Sequence, residues 1–434
     1  MKKFWVALFA VALVAGFALN ASAADVKFSG SYYVAGMYAN NWDVNDSNNS
    51  AGVYAQRLRV ATAFKIAEGL TLNTRFDALE GRWGQYGYNG AATFRNTAYK
   101  GTNDEAADDN DISFDRAWVS FAVPFGKFDV GRQASNEWGT VFATDSYDAD
   151  AIHYTGNFGP VEVGLFLEKL VESYGATDYN NVKSTGGIND GDRDNYGVYA
   201  KYKWNNGVAG LALQYLKDNT EQFAGLLDTS AAGQYKMSLW TISPYVQATF
   251  GNFFVEAEIN YAYGEAEADD SNFDDADIRA WNAYVHAKGT FGLPTGGLAF
   301  SPTLILWNPV SNKWLGDSSG RATSLGDPKY GTDQTGSVME NAYLGQIYGG
   351  FKPIPKLDLQ AKLSFATADH TAHEYAGHEY GWELDLTASY KIYDNLTYQV
   401  GAGYLWAGDY FKGADDKNDV DDVYLIMHGL NLTF

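Results

Sequence analysis

The segment Leu357-Asp-Leu-Gln-Ala-Lys-Leu-Ser-Phe365 decides the fold, because every second residue in it is apolar. Leu357, Leu359, Ala361, Leu363 and Phe365 share one face, and Asp358, Gln360, Lys362 and Ser364 share the other. A side-chain period of two marks an extended strand with two unlike faces. The pattern recurs in Trp382, Leu384, Leu386, Ala388, Tyr390 and Ile392, which alternate with Glu383, Asp385, Thr387, Ser389 and Lys391. After a short turn at Asp394-Asn395 come Leu396, Tyr398, Val400, Ala402, Tyr404 and Trp406, again opposite polar or small residues.

Working outward, the same reading gives strands near 26–39, 53–65, 70–80, 112–123, 126–132, 150–157, 160–170, 194–204, 207–217, 238–250, 252–263, 278–291, 297–307, 339–352, 356–367, 379–392, 395–407 and 421–434. That makes about 18 strands, with 16 as the alternative because 126–132 and 150–157 are brief. Most run about 10–14 residues, longer than strands of globular sheets and close to a tilted bilayer span. Rings gather near strand ends, as at Tyr196, Tyr202 and Trp204, which fits aromatic girdles at two membrane interfaces. A strand in lipid must pair on both edges, so a spanning sheet has to close. Short turns such as Ala67-Glu-Gly69 and Asn205-Asn206 alternate with long polar segments. The expected fold is therefore all-β: a closed antiparallel transmembrane β-barrel with short periplasmic turns and long extracellular loops, one domain over 24–434.

The 434 residues hold 31 Lys and Arg against 53 Asp and Glu, a formal charge of −22, with no cysteine. Aromatic residues make up 16% of the chain, which excludes global disorder. Without cysteine there is no disulfide scaffold, thiolate metal site, thiol nucleophile or attached c-type haem, and no cofactor is expected. Strong negative charge without a basic face argues against nucleic acid. Lys2, Lys3, the apolar run from Phe4 to Leu19 and Ala21-Ser22-Ala23 read as a signal peptide over 1–23. No second apolar run is long enough for a transmembrane helix.

Val26-Lys-Phe-Ser-Gly-Ser-Tyr32, Tyr54-Ala-Gln-Arg-Leu-Arg59, Phe121-Ala-Val-Pro-Phe-Gly-Lys-Phe-Asp-Val-Gly-Arg-Gln133 and the terminal Leu430-Asn-Leu-Thr-Phe434 carry a resemblance. The chain resembles the porins of the Gram-negative outer membrane, of the general diffusion type, over essentially the whole region after the signal peptide. The resemblance implies an outer-membrane location among lipid and lipopolysaccharide, a homotrimer, and a C-terminal signal for the barrel-assembly machinery formed by Ile426, Leu430, Leu432 and Phe434. His428 falls on the lipid-facing parity, where either a protein contact or a tilted or bulged strand would accommodate it.

Barrels of this width leave an aqueous channel. Taking the apolar parity as outward, Arg57, Arg59, Arg75 and Arg116 point into the lumen with Lys201, Lys203, Lys288, Lys362 and Lys391, together with Asp77, Glu162, Glu168, Glu256, Glu258, Asp358, Glu383 and Asp385. Most of the negative charge lies in expected loops at 103–111, 264–277 and 415–422, either as solvated charge or as carboxylates bridged by divalent cations. In the resembling family, the loop after the fifth strand (the third long loop) folds inward and sets acids against wall arginines. Carried over, that loop is 133–149, with Glu137, Asp145 and Asp148 facing Arg57, Arg59, Arg75 and Arg132. Arg132 needs a bulge at Gly131 to point inward, because Phe128 and Val130 share its parity.

Other patterns are weaker. His370, His373 and His378 lie in one loop and form at most a weak metal site; Gly377 occupies the place of the second histidine of a zinc-protease motif. Nothing marks a catalytic serine, and no enzyme is expected. The reading is a water-filled channel for passive diffusion of small hydrophilic solutes and ions. The alternatives are a substrate-specific channel and a structural or partner-binding outer-membrane barrel. Ion preference stays open, because acidic loops favour cations at the mouth and arginines favour anions deeper in.

Overall fold

The structure, a computed structural model, describes residues 25–41, 44, 50–83, 112–135, 137–142, 147–172, 191–220, 235–268, 275–293, 296–305, 342–368, 375–413 and 415–434. The strands are β1 (Asp25–Asn40), β2 (Ser50–Ala67), β3 (Leu70–Arg82), β4 (Ser113–Val123), β5 (Gly126–Ser135), β6 (Tyr147–Phe158), β7 (Val161–Val171), β8 (Arg193–Trp204) and β9 (Gly207–Asp218). They continue as β10 (Tyr235–Phe250), β11 (Phe253–Ala268), β12 (Ala276–Leu293), β13 (Gly296–Ile305), β14 (Ala342–Ile354), β15 (Leu357–Ala368), β16 (Glu379–Tyr393), β17 (Leu396–Ala407) and β18 (Val423–Thr433). Each is antiparallel to its neighbours in one 18-stranded sheet.

β1 pairs with β2 along one edge and with β18 along the other, so the sheet meets itself. The seam runs from Asn40 opposite Tyr424 to Ser31 opposite Thr433 without a register shift. Beyond it the Gly30 N–H donates to the Phe434 carbonyl at 2.8 Å, and the Phe434 N–H donates back at 3.1 Å. A Cβ at Gly30 would meet the Arg59 carbonyl oxygen and, at 2.7 Å, the Phe434 ring. Gly30→Val should therefore overpack this junction at a cost of about 1–3 kcal/mol. The expected result is a lower temperature for conversion of the folded band to the unfolded band in detergent gels.

Burial is inverted relative to a water-soluble protein. Leu165, Ile259, Val285 and Leu386 are each at least 50% exposed, whereas Glu168, Glu258, Glu383 and Asp385 are 1% exposed. Alternation explains it, since outward positions are apolar and inward positions carry polar groups that bond one another. At one rim each connection is two residues, as at Glu68-Gly69 and Gly251-Asn252, where the glycines take φ of 73° and 60°. Those left-handed values suit glycine, which has no Cβ to clash.

Two expectations change. Strand β11 reaches Ala268 and Glu265 pairs with Asp277 of β12, so part of the acidic stretch at 264–277 is sheet. His428 lies in continuous register, and its ring nitrogens contact Tyr54 Oη at 3.0 Å and Tyr398 Oη at 3.3 Å. Neither an outside partner nor a bulge is needed, because two phenols satisfy the imidazole across the seam. The acidic stretch 103–111 and residues 1–23 lie outside the described residues.

Candidate functional site

The inward faces of β2, β3 and β4 meet the start of β6 in a ladder of alternating charge. Arg59 donates from Nε to Asp77 Oδ1 at 2.7 Å and from Nη2 to Oδ2 at 2.6 Å, the two-point geometry of a planar guanidinium. Its Nη2 also reaches Asp115 Oδ2 at 3.4 Å, an oxygen that accepts from Arg75 Nε at 3.3 Å. Arg75 Nη2 donates to Asp148 at 3.2 Å, and Arg116 Nε donates to the same carboxylate at 2.6 Å. Arg57 ends the row, 3.5 Å from Glu80 and with its guanidinium 5.2 Å from the centre of the Tyr33 ring. The four arginine side chains remain 14–27% exposed, so the ladder still faces water.

The structure brings Arg57, Arg59, Arg75 and Arg116 together with Asp148, which lies on β6 rather than on the connecting loop expected over 133–149. Arg132 is not among them. Gly131 has φ 129°, yet β4 and β5 pair without a shift through Gly131 opposite Trp118 and Arg132 opposite Ala117. Arg132 therefore stays on the face of Val130, paired at 3.2 Å with an exposed Asp150. Asp115 enters instead, through a bulge: Arg75 pairs with Arg116 and Phe76 with Phe114, leaving Asp115 as the extra residue beside the ladder. The carboxylates Asp77 and Asp115 stand among the arginines on one wall rather than across a gap, so the charges neutralise one another locally.

Residues 137–142, between β5 and β6, cross to the wall formed by β10–β12. The Trp138 indole donates to the Ser243 carbonyl at 3.0 Å. That carbonyl is accessible because the β10–β11 ladder lapses, beside Pro244, between the pairs Ile242–Tyr261 and Tyr245–Glu258. Thr140 donates twice to Glu258 Oε2, from its backbone N–H at 2.6 Å and its hydroxyl at 2.8 Å, while Asn260 holds Oε1 at 2.9 Å. Gly139, at φ 74°, lies where a Cβ would run into the Glu258 carboxylate. Phe142 stacks on Tyr284 of β12 at 5.3 Å between centroids.

Glu137 is exposed and makes no ion pair among the described residues, and Asp145 lies outside them. Charge pattern alone draws attention to those acids and misses Trp138, Thr140 and Phe142. The available signal was the pair of rings flanking Gly139 in Trp138-Gly-Thr-Val-Phe142, an apolar run in a polar connection.

Between this segment and the wall of β5–β9 lies a cavity of about 250 Å³, lined by Trp138, Tyr199, Lys201, His153, Glu168 and Gln214 among others. The Lys201 ammonium sits 5.3 Å from the Trp138 ring centre and 5.0 Å from that of Tyr199, in cation–π range. Glu168 accepts from Ser135, Tyr147, His153 and Asn195. Serine and histidine both address the carboxylate here, so the histidine is not placed as base for the serine.

On the opposite side the outer part of the inward face turns apolar. Leu344, Ala366, Leu405, Val423 and Leu425 are buried with Phe142 and Tyr380, and Tyr410 and Phe411 of a short 3₁₀ helix (Asp409–Lys412) pack on them. Tyr380 belongs by parity with the outward Trp382, but Gly381 (φ 120°) sits at a register shift against β15 and turns it inward. His370 and His373 lie outside the described residues, and the His378 carbonyl accepts from Ala368 N–H at 2.8 Å. Among the described residues, no group of three or more His, Cys, Asp or Glu is placed to hold a metal ion.

The sequence matches no protein-family model and no curated protein. Solved structures do match. A BenF-like porin from Pseudomonas fluorescens Pf-5 aligns at TM-score 0.52 and 11% identity, over 94% of this chain and 99% of that one. OccK2 (OpdF) of Pseudomonas aeruginosa, in complex with glucuronate, aligns at 0.51 and 10%, over 94% and 97%. The outer membrane protein OpdK of Pseudomonas aeruginosa aligns at 0.50 and 11%, over 94% and 99%. At these identities the likeness establishes the fold, and the fold is that of outer-membrane porins.

Proposed function

We propose that the chain, after removal of a signal peptide at 1–23, forms one barrel domain over 24–434 in the Gram-negative outer membrane and conducts small hydrophilic solutes and ions passively. The inverted burial carries this reading: ionisable and polar side chains line the inner face, and large apolar side chains cover the outer one. Water-soluble monomers rarely expose a contiguous apolar surface of this extent. The two-residue turns then face the periplasm and the long connections face outward. Residues 137–142 act as the inward constriction, beside a ladder whose fixed charges favour polar over apolar solutes.

Partners on the same reading are outer-membrane lipid, lipopolysaccharide, the barrel-assembly machinery through Ile426, Leu430, Leu432 and Phe434, and two further copies in a homotrimer. No hydrolytic chemistry is proposed. Purified protein in a planar bilayer should give stepwise conductance increments, and a barrel that passes no ions would instead be a structural or partner-binding one.

A substrate-specific channel is the second reading, favoured by one observation, the Trp138–Tyr199–Lys201 cavity behind the constriction. Solute flux in liposome swelling separates the two. Flux linear in concentration supports a general pore, whereas saturation relieved by Trp138→Ala supports a specific one.

A further inference from the structure

Glu383 and Asp385 stand two residues apart on the inward face of β16, and all four of their carboxylate oxygens are buried without a hydrogen-bond partner among the described residues. Other buried acids of the lumen are well supplied. Glu256 accepts from Gln247 and Tyr284 and contacts His286, and Glu168 has four partners. A bare carboxylate shut away from water is strongly unfavourable, and two side by side are worse. The Lys362 ammonium, across the strand pair from Asp385, offsets this charge only in part and through space, and the four oxygens stay open to a ligand from outside the chain.

The pairing register identifies what surrounds the pair. Ser364 lies opposite Glu383 and Lys362 opposite Asp385 on β15, while Leu405 and Gly403 occupy the same levels on β17. Lys362 hydrogen-bonds neither carboxylate. Gln346 on β14 donates its amide N–H to Ser364 Oγ at 2.9 Å, so Gln346 Oε1 and Ser364 Oγ are neutral oxygens on the same face. Gly403 adds no side chain beside Asp385, and Leu405, Leu425 and Tyr380 close the outer side.

We propose that Glu383 and Asp385, with the neutral oxygens of Ser364 and Gln346, bind one hard divalent cation in the barrel wall. Such ions take carboxylate, amide and hydroxyl oxygens and complete their shell with water, and two carboxylates balance the charge. Two acids, rather than the three or more of a fully acidic cage, give a site completed by neutral ligands. The bound ion ties β16 to β15 and β14 beneath the apolar cap.

The test uses the full barrel folded in detergent, stripped with chelator and then titrated with calcium while binding is measured by equilibrium dialysis and unfolding is followed by heating. One calcium per chain and a raised unfolding temperature are expected, both lost in E383Q/D385N and both kept in D358N. The E383Q/D385N protein removes two buried charges, so it should fold and match or exceed the stripped wild type in stability. Absence of calcium binding, with an unfolding temperature indifferent to chelator, overturns the proposal in favour of a proton shared by the two carboxyls. Calcium that remains bound in E383Q/D385N overturns it as well, because the ion then sits elsewhere, for example on the outer acidic residues.

Discussion

Glu258→Ala should raise single-channel conductance and make the open level noisy. Thr140 gives Glu258 two hydrogen bonds, and bonds to a charged acceptor contribute about 1.5–3 kcal/mol each. Losing about 3–6 kcal/mol of anchoring lowers the ratio of docked to released segment by roughly a hundredfold or more, at about 1.4 kcal/mol per tenfold. The Trp138 indole bond to Ser243 and the Phe142–Tyr284 stack remain, so 137–142 should sample the lumen rather than leave it. Glu258→Gln keeps an acceptor oxygen and should fall between the two. Gly139→Ala should resemble Glu258→Ala, since a Cβ there displaces the same carboxylate and strains a left-handed backbone. A quiet Glu258→Ala channel of unchanged conductance would show that the two rings hold the segment without the acid.

Charge changes in the ladder should move the reversal potential in opposite directions. Arg57, Arg59, Arg75 and Arg116 are balanced by Glu80, Asp77, Asp115 and Asp148, so the wild-type ladder biases ions little. D77N/D115N leaves arginines uncompensated and should make the channel anion-selective; R59Q/R75Q should make it cation-selective. The ceiling is about 59 mV for a tenfold gradient of singly charged ions. Arg132→Gln is the control, because Arg132 pairs with Asp150 on the other face, and it should leave the potential where it was. If the two double variants shift in the same direction, the ladder is not where ions are sorted. High salt should blunt both shifts, as screening shortens the reach of each charge.

The strands themselves were readable because the decisive signal is local. One residue separates an outward-facing Leu386 from an inward-facing Asp385, and a slip of one position would invert the whole strand. That rule placed Arg57, Arg59 and Arg75 on the inward face without any structure. It failed where the period itself breaks. Asp115 and Tyr380 reach the lumen through irregular pairing, at the Arg75–Phe76 shift and beside Gly381, and alternation assigns both to the outer face. Gly131 shows the converse, since its unusual φ does not interrupt pairing and so leaves Arg132 outside.

What the sequence by itself determined is which face of each strand is apolar, the positions of the turns, and the need for a sheet with two unlike surfaces. These follow from side-chain period and turn chemistry, which act over a few residues. Only the tertiary structure decided where 137–142 goes, because Trp138 and Thr140 find partners 105 and 118 residues away. The same holds for the pair Glu383 and Asp385, whose two inward carboxylates look like any others in the sequence and are set apart only by their burial without a hydrogen-bond partner among the described residues. A contact across a closed sheet depends on which strands the curvature brings face to face, and no short-range pattern encodes that.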